Sequence, residues 1–158
     1  MDTAVTIIGI VITLLISIPL YFVFRSNAIH KDKIKAIQIL NNPAKKFCFE
    51  ETENQNKKVF SIDSKNKGLL FIDFHPQKTF SKLLQLDTII SCEIVYTTEY
   101  QRDTTVKIEL LFIFKKDNKK ETLTVYDAQY DLMNQICLYE DDQFAKKWKN
   151  KIDQCLTQ

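Results

Sequence analysis

Hydrophobic and polar residues follow different patterns in the first two dozen residues and after Pro43. From Ala4 to Phe24 the sequence runs for 21 residues without a charged side chain, and as an α-helix this stretch would span about 31 Å, which matches the hydrocarbon core of a bilayer. After Pro43 apolar and polar residues alternate, which is typical of half-buried strands. The patterns predict a transmembrane helix at residues 1–25, a basic juxtamembrane stalk at 26–45 and one domain at 46–158.

Alternation in the domain is clearest at Thr105–Phe114, where every second residue is apolar and Lys107 and Glu109 lie on the opposite face. Six further stretches rich in β-branched or aromatic residues predict shorter strands: Lys46–Glu50, Lys57–Asp63, Leu69–Phe74, Thr79–Leu84, Ser91–Glu99 and Glu121–Tyr126. Turn-forming residues at Lys65–Gly68 and at Asp117-Asn118 connect neighbouring strands. The prediction is a mainly β domain of seven antiparallel strands.

The end of the chain has a helical pattern. Asp141 and Asp142 are predicted to cap a helix, whose apolar face carries Phe144, Trp148, Ile152 and Cys155. Asp131–Leu138 is predicted to form a further helical turn. Because seven short strands leave open edges unless the sheet curls, we expect a partial barrel with this C-terminal α-helix as its cap.

Basic residues follow the apolar stretch, and they predict its orientation. Arg25, Lys31, Lys33 and Lys35 lie close to its C-terminal end, with Asp32 as the one nearby acid. The positive-inside bias therefore places the C-terminal domain in the cytoplasm and the N-terminus outside. The stalk has a weak helical pattern at Ile34, Ile37 and Leu40, and its lysines either lie against anionic lipid headgroups or belong to a solvated linker.

Two other interpretations of the N-terminal stretch stay open. Ser26-Asn27-Ala28 resembles a small-residue cleavage site, so the stretch is alternatively a cleaved signal peptide. If it is retained, Gly9, Thr13 and Ser17 recur at a four-residue spacing, which permits close helix–helix packing and self-association in a membrane.

One family resemblance follows from these elements. Seven predicted strands with one terminal helix, together with Ile72-Asp73-Phe74, Thr79-Phe80 and the run Leu86-Asp87-Thr88-Ile89-Ile90-Ser91-Cys92-Glu93-Ile94, resemble the pleckstrin-homology-like (PH-like) domains of uncharacterised bacterial membrane proteins. The resemblance covers about Phe47 to Leu156. It implies a domain that binds peptides, lipids or neighbouring subunits, with Trp148 as the aromatic residue at the barrel mouth, and it carries no catalytic residue.

Composition excludes several functions. The net charge is +2 with only two arginines, so nucleic acid is not expected as a partner. The four cysteines are widely separated and the two histidines lack neighbouring ligands, which predicts free thiols and no metal site. Gly9 and Gly68 are the only glycines, so no phosphate-binding loop and no cofactor are expected. We therefore expect no catalytic residues and no enzymatic activity.

The candidate binding surface consists of Tyr96, Tyr100 and Arg102 in a polar loop, Tyr130 before the helix and Trp148 at the barrel mouth. Each has a plainer interpretation: an exposed hairpin, a connection between elements and a core tryptophan, respectively. We expect a single-pass protein of the cell inner membrane whose PH-like domain is a non-enzymatic adaptor for a protein partner. The alternative is an effector that senses a small anionic ligand, forms a homo-oligomer and perturbs the membrane lipid.

Overall fold

The computed structural model describes residues 13, 15–18, 31–74, 78–99, 104–130 and 137–157. The chain divides into two compact units, Met1–Leu40 and Asn41–Gln158. In the first unit, residues 13, 15–18 and 31–40 are helical. Within the described ranges, no helix has both the length and the hydropathy that crossing a membrane requires. Most of the predicted transmembrane helix, residues 1–25, lies outside those ranges.

The described residues of the second unit are mainly β-structure followed by one long helix. Seven strands precede that helix: β1 (Glu51–Gln55), β2 (Lys58–Asp63), β3 (Gly68–Phe74), β4 (Thr79–Gln85), β5 (Ile89–Glu99), β6 (Thr104–Phe114) and β7 (Lys120–Asp127). A short 3-10 turn, Leu86–Thr88, separates β4 from β5, and the C-terminal helix is Leu138–Thr157. The sequence prediction of a mainly β domain ending in an α-helix is confirmed.

The strands form two antiparallel sheets with sequential neighbours. The first sheet has the order β1-β2-β3-β4 and the second β5-β6-β7. Turns with left-handed residues join several of these strands. Asn56 and Lys57 join β1 to β2 with φ of 43° and 65°, as a two-residue type I′ turn requires. Asp117 and Asn118 take the same left-handed conformation between β6 and β7, where the sequence predicts a turn.

The first strand differs from its prediction. The sequence assigns it to Lys46–Glu50, but β1 is Glu51–Gln55 and its residues pair with β2, from Glu51 opposite Ile62 to Gln55 opposite Lys58. The Asn56-Lys57 turn fixes this register, because each residue of β1 must lie opposite a residue of β2 at an equal distance from the turn. Asn-Lys is a weaker turn signal than Asn-Gly, so the sequence pattern misses the hairpin.

The two sheets bury their residues differently. From Val59 to Asp63 in β2 and from Gly68 to Ile72 in β3, every residue is buried. In β6 burial alternates, with Ile108, Leu110 and Phe112 buried, which confirms the predicted apolar face. A continuous apolar run is typical of a strand covered on both faces, whereas alternation is typical of a strand with one exposed face.

The C-terminal helix packs on the core with the predicted face. Phe144, Trp148, Ile152 and Cys155 are buried, and the Trp148 ring stacks on Phe60 of β2 at a centroid distance of 5.2 Å. The core cluster joins residues of both sheets to this helix. The predicted cap at Asp141 and Asp142 is wrong, because the helix begins at Leu138 and both acids lie within its first turns.

Candidate functional site

A groove of about 390 Å³ separates the first half of the C-terminal helix from the second sheet. We call it the helix groove, and it is lined by residues of β5, β6 and the helix: Tyr96, Thr105, Ile108, Leu138, Tyr139, Asp142 and Lys146. Ile108 is buried, and Tyr139 is 74% exposed. The groove therefore combines apolar surface with an accessible tyrosine ring, a combination that is common at protein interfaces.

A short polar chain crosses this groove from the sheet to the helix. The Tyr96 hydroxyl donates to Oδ1 of Asp142 at 2.7 Å, and the Lys146 ammonium donates to Oδ2 of the same carboxylate at 2.7 Å. Burial opposes ionisation of Asp142, but the hydrogen bonds from Lys146 and Tyr96 outweigh it and hold its pKa below the ordinary value. Burial and the hydrogen bond to Asp142 raise the pKa of Tyr96. Asp142 is therefore an anion that orients Tyr96.

The strand beside the helix groove, β5, is one of the two outer strands of its sheet. Among the described residues, β5 pairs with β6 alone. Its last residues, Tyr96–Glu99, are exposed. Since one row of backbone amide and carbonyl groups of an outer strand has no partner in the sheet, a further extended segment can hydrogen-bond there.

A second cavity, of about 460 Å³, lies between the two sheets. We call it the inter-sheet pocket, and charged and aromatic residues line it: Lys58, Asp73, Lys78, Phe80, Lys107, Thr124, Asp127 and Tyr130. Lys58 is paired with Asp73 at 2.9 Å, and Lys107 with Glu109 at 2.8 Å. Two of the three lysines thus have carboxylate partners, and Lys78 is exposed at the rim.

The structure separates the predicted binding residues. Tyr96 lies in the helix groove, Tyr130 lies in the inter-sheet pocket, and Tyr100 and Arg102 are outside the described residues. Trp148 is fully buried and contacts Phe60 and Phe144. The core interpretation of Trp148 is therefore confirmed, and this residue offers no surface to a partner.

The membrane-proximal residues are described only in part. Lys31, Lys33 and Lys35 are exposed on the helical segment 31–41, and Thr13 and Ser17 are helical and exposed. Arg25 and Gly9 lie outside the described residues, as does most of the helical turn predicted for Asp131–Leu138.

Sequence reasoning misses two charged residues of the helix groove. It assigns Asp142 to a helix cap and leaves Lys146 unassigned, although the two are four residues apart in a predicted helix. That spacing places them on one helical face. It does not show that Tyr96, 46 positions earlier, meets the same carboxylate, because the distance depends on how the helix packs against β5.

The described residues contain no group of three or more His, Cys, Asp or Glu side chains suited to hold a metal ion. Burial raises the pKa of Cys92 to about 12, so this thiol does not form a reactive thiolate near neutral pH. Comparison with family models, with curated proteins and with solved structures gives no match. The two cavities and the sequence are therefore the features that bear on function.

Proposed function

We propose that this chain is a single-pass protein of the inner membrane whose cytoplasmic PH-like domain is a non-enzymatic adaptor. The helix groove carries the proposal, because it combines an outer strand, a buried apolar floor and exposed tyrosines. Its partner is an extended segment of another protein that adds to the exposed end of β5 and packs its side chains against Tyr96 and Tyr139. The element order, seven antiparallel strands followed by one helix, supports the PH-like assignment.

The membrane anchor is supported by sequence and exposure. The described part of the Ala4–Phe24 stretch is helical, and Leu15, Ile16 and Ile18 are exposed. Exposed aliphatic side chains on an uncharged helix are suited to contact with lipid rather than water. An anchor also raises the local concentration of the domain near other membrane proteins, so modest affinity in the helix groove suffices for binding.

Site-specific photocrosslinking of the full-length chain in native membranes tests the adaptor. A photoreactive amino acid replaces Tyr139 in the groove or, as the matched control, Ile90, which is exposed at the other end of β5. We expect a discrete adduct with a different protein from position 139 only. Equal adducts from both positions, or adducts between copies of this chain alone, would contradict the proposal.

The inter-sheet pocket favours the alternative function, an effector that binds a small anionic ligand and oligomerises. Its three lysines come from both sheets and from the loop before β4, and Phe80 and Tyr130 add exposed rings. Thermal unfolding with cyclic nucleotides tests this alternative. It predicts a rise in melting temperature that Lys78→Ala removes and that Lys116→Ala, in the exposed β6–β7 turn, leaves unchanged. No shift in the wild-type chain would leave the adaptor as the better proposal.

A further inference from the structure

The helical segment 31–41 has two distinct faces. Ile34 is buried and Ile37, Gln38 and Asn41 are half-buried, and these four residues lie within about 100° of one another around the helix axis. Ile39 and Leu40, by contrast, are 71% and 77% exposed. The sequence pattern groups Leu40 with Ile34 and Ile37, but in the structure Leu40 is exposed and lies outside the buried face.

The exposed face has an ordered distribution of charge. At 100° per residue, Ile39, Ala36 and Leu40 lie across this face together with Asp32, which falls between Ile39 and Ala36. Lys31 and Lys35 lie along one border and Lys33 along the other, so the face has three lysines and one acid. Asp32 is the only acid of the segment. Apolar residues bordered by lysines are typical of a helix that lies in a membrane interface, because the lysine stems extend along the apolar surface while the ammonium groups reach the headgroups.

We propose that the exposed face of residues 31–41 binds the surface of an anionic bilayer. This inference depends on the proposed anchor, which ends at Phe24. Seven residues of fully extended chain reach about 25 Å, so Lys31 stays within that distance of the end of the anchor. A second copy of this face is the weaker candidate occupant, because pairing would bring two sets of lysines together.

Trp148 is the only tryptophan and is fully buried, which permits a direct test with the full-length chain. Ile39→Trp places a second indole on the exposed face, and Ile90→Trp places one on exposed β5 as the control. Both variants are reconstituted in phosphatidylcholine vesicles with and without phosphatidylglycerol, each containing brominated lipid as quencher. We expect quenching at position 39 to rise about twofold or more with the anionic lipid, and quenching at position 90 to stay at the level of Trp148 alone.

A triple variant with glutamine at Lys31, Lys33 and Lys35 sharpens the test. Added to Ile39→Trp, it should abolish the dependence on phosphatidylglycerol while the chain still floats with the vesicles. If the wild-type chain floats but quenching at position 39 does not exceed that at position 90, the lipid-binding face is refuted and the anchor stands. A chain that does not float with either vesicle refutes the anchor and, with it, this inference.

Discussion

The two sheets of the domain differ in how deeply their strands are buried and in how much side-chain surface they expose. β2 and β3 of the first sheet are buried almost throughout, and short turns with left-handed residues connect β1 to β2 and β2 to β3. β5 and β6 of the second sheet have 11 residues each. Burial alternates in β6, and the exposed last residues of β5 lie beside the helix groove. We infer that the first sheet supplies most of the packing energy, whereas the second presents the binding surface.

Substitution of two matched leucines tests this comparison, and it should give the largest change in the free energy of unfolding. Leu70 and Leu111 lie in the middle strands of the two sheets, each between two residues of the core cluster and on the opposite face from it. Leu70 is fully buried and Leu111 is half-buried. We expect Leu70→Ala to lower the free energy of unfolding by about 2–5 kcal/mol and Leu111→Ala by about 1 kcal/mol.

Urea unfolding of the full-length protein in detergent, followed by the fluorescence of Trp148, measures both variants. Equal losses would contradict the comparison, because they would show that the outer face of the second sheet is packed as tightly as that of the first.

Two buried aspartates, Asp63 and Asp141, differ in how well their carboxylates are hydrogen-bonded. Asp63, at the end of β2, accepts hydrogen bonds from the Cys48 amide at 2.6 Å, from the Asn66 amide at 2.9 Å and from Asn66 Nδ2 at 2.7 Å. Burial opposes its ionisation, but these bonds, with one from the Lys65 amide, outweigh burial and lower its pKa. Asp63 is therefore a satisfied anion that ties two loops to the first sheet.

Asp141, in the C-terminal helix, has the opposite character. Its Oδ2 accepts a hydrogen bond from Asn56 Nδ2 at 2.9 Å, but its Oδ1 is buried with no hydrogen-bond partner among the described residues. Burial raises its pKa above the ordinary value, and the Asn56 bond and the charge of Lys58 only partly offset this. Ionisation of Asp141 in the folded state is therefore unfavourable.

The two carboxyl groups should change stability with pH in opposite directions. Because the folded-state pKa of Asp63 is lowered, its contribution is present above the unfolded value of about 3.9 and is lost as the pH falls through the folded value. Asp63→Asn should therefore cost about 1.5–3 kcal/mol at pH 7, and less near pH 3. Because the folded-state pKa of Asp141 is raised, Asp141→Asn should gain stability relative to wild type as the pH rises from about 4 to 7.

Denaturant unfolding of both variants at several pH values between 3 and 7 gives the comparison. Parallel pH profiles for the two variants would refute the assignment of opposite roles.

Much of this fold follows from local sequence patterns, and the exceptions have physical reasons. The alternation in β6 and the apolar run in β3 identify their strands because each pattern depends on residues within one element. The start of β1 and the role of Asp141 do not follow in this way. Both are determined by the Asn56-Lys57 turn, which sets the register of β1 and brings Asn56 to a carboxylate 85 positions later.

The candidate site was less predictable than the fold. Tyr96 and Tyr139 lie far apart in the sequence, and only the packing of the helix beside β5 brings them to one groove. The position of Trp148, by contrast, was predictable, because this residue belongs to the apolar face of the helix, which packs on the core. A local pattern therefore predicts which face a residue occupies, but not which distant residue it meets.

Gly68, the first residue of β3, has no room for a larger side chain. A Cβ at this position would overlap the ring of Phe47, closer to Cδ1 than side-chain atoms approach one another. The backbone of Gly68 does not have a positive φ, so the cost of a substitution is steric. We expect Gly68→Ala to lower the free energy of unfolding by about 1–3 kcal/mol.

The control for this prediction is Gly68→Ala in a Phe47→Leu background, where the smaller side chain leaves room for the added methyl group. A loss of the same size in both backgrounds would mean that Phe47 is not the obstacle.

The smallest effects are expected from the polar contacts that attach the C-terminal helix to each of the two sheets. Lys147 and Lys151 donate to Oε1 of Glu53 in β1 at 2.7 Å and 3.0 Å, and Lys151 also pairs with Glu51. On the other side, the helix is attached to β5 by the hydrogen bond from Tyr96 to Asp142. Because the pairs with Glu53 are partly exposed, Glu53→Gln should cost about 1 kcal/mol or less, and the loss should shrink in high salt.

Tyr96→Phe should cost about 1 kcal/mol as well, and it should depend less on salt, because it removes one hydroxyl and no formal charge. Unfolding of both variants in about 0.05 M and 0.5 M salt separates them. Equal sensitivity to salt would mean that electrostatic attraction holds the helix to both sheets. A selective effect on Glu53→Gln would show that only the attachment to the first sheet is ionic, so that the groove beside β5 stays intact when ion pairs are screened.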